Sequence, residues 1–162
     1  MQPLSGPTIR QRKMISQKAK YALRALVVLA RADVEKALFI SDIAEEQNIP
    51  KKFLEQILLD LKREGIVMSR RGKMGGYLLL KSADDITFGE VLRLIDGPIA
   101  SLPCLSKIAY RRCEDCASEE SCEIRHVFNE VANVTRGVLD KTTIADCLVY
   151  GNNGKLPAML DS

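Results

Sequence analysis

The sequence predicts a mainly α fold: a helix-turn-helix pair, a two-stranded β-wing and a long C-terminal helix. Three observations carry this. Apolar residues recur at intervals of three and four over 17–32, 51–64 and 123–140, the spacing of a single helix face. Asn48-Ile49-Pro50 separates two helical stretches, because proline fixes its own φ and disfavours helix in the residue before it. A turn rich in Gly and basic residues, 69–76, lies between short apolar runs at 66–68 and 77–80, the pattern of a β-hairpin.

In chain order, residues 1–13 hold Pro3, Gly6, Pro7 and three cations without an acid, and are expected to be a flexible basic arm. The first helix, 17–32, gathers Tyr21, Ala22, Ala25, Leu26, Leu29 and Ala30 on one face. Ser41 is expected to cap a short helix over 42–47, with Asp42, Glu45 and Glu46 near its start. The next helix, 51–64, has Phe53, Leu54, Ile57, Leu58 and Leu61 as its expected buried stripe, and Gly65 stops it. After the hairpin, Thr87 and Glu90 fit a capping box for a helix that ends near Asp96, before Gly97. Residues 98–122 lose periodicity. The long helix 123–140 follows, then a last turn at 144–148 capped by Thr143, and a tail expected to fray from Gly151.

Composition narrows the classes. A chain of 162 residues can bury one core, and with 5% aromatics and no Trp that core must be aliphatic. No run of 18 apolar residues suggests a membrane span, and the first residues lack the apolar stretch of a signal peptide, so a cytoplasmic protein is expected. With one His and no Gly-rich phosphate loop at a strand–helix junction, no catalytic constellation is visible, and an enzyme is not expected. Charge is uneven: residues 1–97 hold 17 Lys/Arg against 12 Asp/Glu, and the rest hold 7 against 9. A basic front half suits contact with an anion.

Helix, turn, helix and hairpin in that order describe a winged helix-turn-helix, whose second helix presents its first turns to the DNA major groove. The exposed positions there would be Lys51, Lys52, Glu55, Gln56 and Lys62. Gln pairs with the edge of adenine and Glu accepts from cytosine N4, while the lysines suit phosphate. At the hairpin tip, Arg70, Arg71 and Lys73 can follow the DNA backbone or enter the minor groove, and Gly72, Gly75 and Gly76 permit tight turns and close approach. The competing reading is a solvated basic loop on a protein-interaction module.

These residues resemble the Rrf2 family of bacterial winged helix-turn-helix regulators. The matching pieces are 20–26 (KYALRAL), 43–45 (IAE), 53–58 (FLEQIL), 70–77 (RRGKMGGY) and 86–91 (ITFGEV). The likeness runs from Met14 to about Leu148 and divides the chain into a DNA-binding domain (14–97) that includes Tyr77, a cysteine-rich cofactor loop (98–122), a dimerisation helix with its last turn (123–148) and a flexible tail (149–162). It implies a repressor that works as a homodimer, with the long C-terminal helices crossing between subunits over a roughly palindromic double-stranded operator. Independently, Ile124, Val127, Phe128, Val131, Val134 and Val138 form a stripe that a lone surface helix would not keep; packing within one subunit is the competing explanation.

Four of the five cysteines, Cys104, Cys113, Cys116 and Cys122, fall within 19 residues of loop. Thiolates bind zinc and iron–sulfur clusters, and the two-residue gap between Cys113 and Cys116 lets both sulfurs face one metal. The family resemblance implies an iron–sulfur cluster, two-iron or four-iron, that senses cluster supply, redox state or nitric oxide. The Cys116-to-Cys122 spacing matches the last two of the family's three cysteine ligands, with the first either Cys113 or Cys104. An acidic fourth ligand used by some relatives is replaced by Lys20, which leaves an all-cysteine set as the expectation. Where others place a histidine, Arg125 stands, with His126 one helical step away. The alternatives are a structural zinc on the same sulfurs, or a Cys113–Cys116 thiol switch that Arg111 and Arg112 would favour by stabilising thiolate.

Overall fold

A computed structural model describes residues 15–33 and 35–153, with side chains as far as Val149. The expected basic arm, 1–13, and the tail beyond Asn153 lie outside the described residues. The elements are α1 (Gln17–Arg31), α2 (Ile40–Gln47), α3 (Lys51–Arg63), β1 (Val67–Arg70), β2 (Gly76–Leu79), α4 (Phe88–Asp96), α5 (Glu123–Lys141) and α6 (Ile144–Asn153), with one 3₁₀ turn at Pro103–Leu105. Mainly helical with a two-stranded antiparallel sheet, this is the expected fold class.

α1 begins where Ser16 accepts a hydrogen bond from the Ala19 amide, and it buries Ala22, Ala25, Leu26, Val28 and Leu29 at the centre of the core. α2 starts at Ile40, two residues earlier than expected, with Phe39 rather than Ser41 at its cap. Its first amides, Asp42 and Ile43, bond to the Phe39 carbonyl, while the Ser41 hydroxyl turns to the Asp42 carboxylate instead. The cause is tertiary: Leu38 pairs with Tyr77, so the chain leaves a β-bridge and enters the helix at once. Asn48 then adopts the left-handed conformation (φ 50°), which Asn tolerates, and its amide and that of Ile49 close the end of α2.

α3 buries Leu54, Ile57, Leu58 and Leu61 completely. Phe53 departs from expectation: it is 39% exposed and lies edge-on to Tyr21, with ring centroids 5.8 Å apart. It sits beside the stripe rather than on it, so Tyr21 covers one face and solvent meets the other. Leu54→Ala would remove a fully buried side chain from the helix that carries the candidate site, and we expect a loss of about 2–5 kcal/mol in urea unfolding.

The hairpin pairs Val67 with Leu79 through Arg70 with Gly76. The opposite edge of β2 takes the Leu38–Tyr77 bridge, with both amide–carbonyl bonds at 2.8 Å. Thr87 caps α4 through the Glu90 amide (3.1 Å), but the Glu90 carboxylate goes to Lys81 rather than back to the cap, so only half of the capping box forms. Thr143 and Asp146 cap α6 reciprocally. α6 runs to Asn153 rather than ending at 148, because it packs on α1 and sinks Ile144 fully into the core.

Candidate nucleic-acid interface and thiol cluster

The N-terminal turns of α3 are open to solvent, with Lys51, Lys52, Glu55 and Gln56 exposed, and Lys62 is exposed in its last turn. Three of them are free in the stronger sense. Among the described residues, Lys51, Lys52 and Glu55 make no side-chain hydrogen bond or ion pair. Gln56 donates to the Asp60 carboxylate (3.0 Å) and Lys62 donates to the Ser69 hydroxyl (2.6 Å), which ties α3 to β1.

Asp60 is the anchor that sequence reading missed. Its carboxylate accepts from Lys18 of α1 (2.7 Å) and meets Arg63 at 3.5 Å. The Lys18 hydrogen bond holds the Asp60 carboxyl below the usual carboxylate range against the opposing effect of burial. Gln56 and Asp60 are four apart on one helix face, a spacing that announces such a pair; Lys18, 42 residues away, carries no local signal.

At the wing, Arg71 and Lys73 are exposed with no partner among the described residues, whereas Arg70 donates to the Glu35 carbonyl (2.8 Å). The glycines divide by role. Gly72 (φ 100°) faces open space. Gly75 closes the turn through its amide to the Gly72 carbonyl (2.9 Å). Gly76 (φ 135°) passes so close to the Leu38 carbonyl that any Cβ would overlap it. Gly76 is thus required by the sheet. Tyr77 is half-buried and packs on the core, so it lies behind the wing rather than at its tip. Gly76→Val should destabilise the fold by about 2 kcal/mol or more, from left-handed strain plus the lost bridge; an unchanged Tm would count against this close packing.

The cysteines separate into two environments. Cys104 is buried in the 3₁₀ turn that packs against α5. Cys113, Cys116 and Cys122 are neighbours: the Cys122 and Cys113 sulfurs lie near enough to the Cys116 thiol to raise it. The Cys122 contact, burial and the Cys113 contact push Cys116 up to about 11. Arg111 and Arg112 are not among the groups that shift Cys116, so the thiolate-favouring effect expected of them does not appear there. Cys104 is not among the partners of Cys116, and among the described residues no three His, Cys, Asp or Glu side chains are already set in a metal-binding geometry.

Cys122 also caps α5, its sulfur accepting from the Arg125 amide (3.4 Å). His126 spends its Nε2 on the Glu120 carbonyl (2.8 Å), apart from the sulfurs. Glu119 clasps the loop to α5 by accepting from the Tyr110 hydroxyl and pairing with Arg125 (3.4 Å). Along α5 the apolar stripe is uncovered: Ile124, Val127, Phe128, Val131 and Val134 are exposed, Val138 is half-buried, and Ala132 alone among the described residues of the helix is buried. No helix among the described residues is long and apolar enough to cross a membrane.

Residues 15–149 match the Rrf2 family, described as an iron-dependent transcriptional regulator. The chain is 51% identical, over 86% of its length and 95% of the relative's, to an HTH-type transcriptional regulator described as rrf2-like from Rhodobacter capsulatus. The solved structure of CymR, the global cysteine regulator of Bacillus subtilis, matches with a TM-score of 0.71 at 31% identity, covering 84% of this chain and 96% of that one. The structure of T. potens IscR matches with a TM-score of 0.67 at 28% identity, covering 88% and 90%. A helix-turn-helix with its wing, on a chain matched along nearly all of its described length, settles the class: this protein belongs to the Rrf2 family of winged-helix DNA-binding transcriptional regulators and is not an enzyme.

Proposed function

We propose that the protein is a cytoplasmic homodimeric repressor that reads a roughly palindromic operator and senses iron–sulfur or redox status through its cysteine loop. The observation that carries this is a juxtaposition: the thiol trio ends at Cys122, the cap of the helix whose apolar stripe is uncovered. A change at the sulfurs acts directly on the first turn of the dimerisation helix, and through it on the spacing of two DNA-reading heads.

In this reading Lys51 and Lys52 hold phosphates at the start of α3, Glu55 reads base edges, and Gln56 does so once it leaves Asp60. Arg71 and Lys73 follow the backbone from the wing, with Arg70 and Lys62 bracing it. The paired α5 stripes bury the six apolar residues.

The donor set of Cys113, Cys116 and Cys122 fits a soft metal centre, because such centres take thiolate sulfur, and a cation would offset the cost of ionising Cys116 beside the other two sulfurs. These three would hold an iron–sulfur cluster, which when bound supplies a redox-sensitive and oxidant-labile group. Cys104 would complete an all-cysteine set only if the 3₁₀ turn opened. The same sulfurs would hold zinc as the alternative.

The test is the visible spectrum with iron, sulfide and zinc content of protein purified under nitrogen. Matched iron and sulfide with visible bands support the cluster, and Cys116→Ala should then lose both and its response to oxidant in DNA-binding titrations. Colourless protein with one zinc per chain makes the loop structural; no metal at all overturns both.

A further inference from the structure

A cavity of about 180 Å³ lies where the loop after α4 crosses the inner side of α5. Its polar wall carries Arg93, Lys107 and Arg136 against a single carboxylate, Asp140, and its apolar wall carries Ile99 and Ile108. Arg136 and Asp140 sit on the face of α5 opposite the Val127–Val131–Val134 stripe, so pairing of the stripes leaves the cavity clear.

We propose that this cavity is a binding site for a small organic carboxylate with a short apolar body. Charge comes first. Asp140 neutralises one cation, Arg93, at 2.6 Å. Arg136 uses only its Nε, on the Ala132 carbonyl (3.0 Å), so both terminal nitrogens of its fork are unpaired among the described residues. Lys107 has no partner among them either. Two uncompensated cations beside a concave surface favour an anion, and a planar guanidinium fork matches a carboxylate.

The second observation is Ser106. It is 7% exposed and lines the cavity, and its oxygen accepts from the Ala109 amide (2.9 Å). No acceptor for its hydroxyl proton is found among the described residues, so a buried donor is left for a ligand oxygen. The third is the apolar wall. Ile108 is 67% exposed, and an alkyl chain laid on it and on Ile99 would be partly removed from water. Inorganic anions would satisfy the charges but leave that wall bare. The site also has a place in the machine. It touches α4, which follows the wing, and α5, which follows the thiol loop, so an occupant fixes one against the other. That consequence rests on the dimer reading above; the binding itself does not.

The experiment is a methyl and arginine side-chain NMR titration of the full chain with butanoate, with butanamide and inorganic phosphate as comparison probes. Butanoate should shift Ile99, Ile108 and Arg136 saturably. Butanamide and phosphate should each bind about tenfold more weakly or worse, since each lacks one half of the match. Arg136→Gln should weaken butanoate by about tenfold or more, the size of one lost charge-assisted pair. Asp140→Asn should tighten it, because the internal carboxylate no longer competes for Arg93, and that variant separates binding from damage to the fold. Lys51→Ala should leave it unchanged. Equal shifts with butanamide, equal affinity for phosphate, or no saturable shift would each overturn the proposal, whatever becomes of DNA binding or the cysteine loop.

Discussion

Replacing Lys51, Lys52, Arg71 and Lys73 together by Ala should abolish operator binding at physiological salt while leaving the fold intact. All four are exposed cations, and exposed charges away from packed features change stability by about 0.5 kcal/mol or less each. Their effect on DNA is of another size. A dimer would lose eight cations, and each phosphate contact contributes about 0.9 to the slope of log affinity against log salt, so the slope should flatten by up to about 7 and affinity should fall by about 10³ or more. The measurement is fluorescence anisotropy with labelled operator DNA over a salt series, with Lys141→Ala as a control outside the candidate face. An unchanged slope would show that α3 and the wing do not face the phosphates. Glu55→Ala should behave differently, relaxing base preference with little change in slope, because base edges and phosphates are read by separate groups.

Val127→Glu with Val134→Glu should convert a dimer to a monomer of 18.0 kDa. The two valines are 64% and 59% exposed in the single chain, so a carboxylate at either costs the isolated fold little. In a paired helix interface each lost apolar burial forfeits about 1.5–3 kcal/mol, and the charges must also be desolvated. Sedimentation velocity should show the halved mass, circular dichroism should keep its helical signal, and the wild-type Tm alone should rise with concentration. A wild-type chain sedimenting at 18.0 kDa would sink the dimer proposal. A double variant that stays dimeric would move the interface elsewhere. Where the dimer breaks, operator affinity should collapse even though every DNA-facing side chain is intact, because a two-fold site is then held by one head.

Much of the fold was legible in the residues themselves. Helix-period stripes place α1, α3 and α5, the Gly-rich basic turn places the hairpin, and Thr87, Thr143, Gly65 and Gly97 mark ends where the structure has them. These signals are local, since capping and periodicity act within one or two turns of chain. The exposed, partnerless cations of α3 and the wing were legible for the same reason: nothing apolar lies at those positions to draw them inward.

The residues alone specify the set of elements, their order, the basic face and the density of thiols in the loop. The tertiary structure decided how side chains are spent. Leu38 pairs with Tyr77 across 38 intervening positions of chain, which moves the start of α2 and makes Gly76 a packing requirement. Lys18 reaches Asp60 and draws Gln56 into the same cluster. Ile144 enters the core and extends α6 past its expected end. Cys104 is buried while Cys113 and Cys122 gather around Cys116. All but the last are contacts between segments far apart in the chain, formed because buried polar groups need partners and close packing admits few arrangements. Neither demand leaves a trace in the spacing of neighbouring residues.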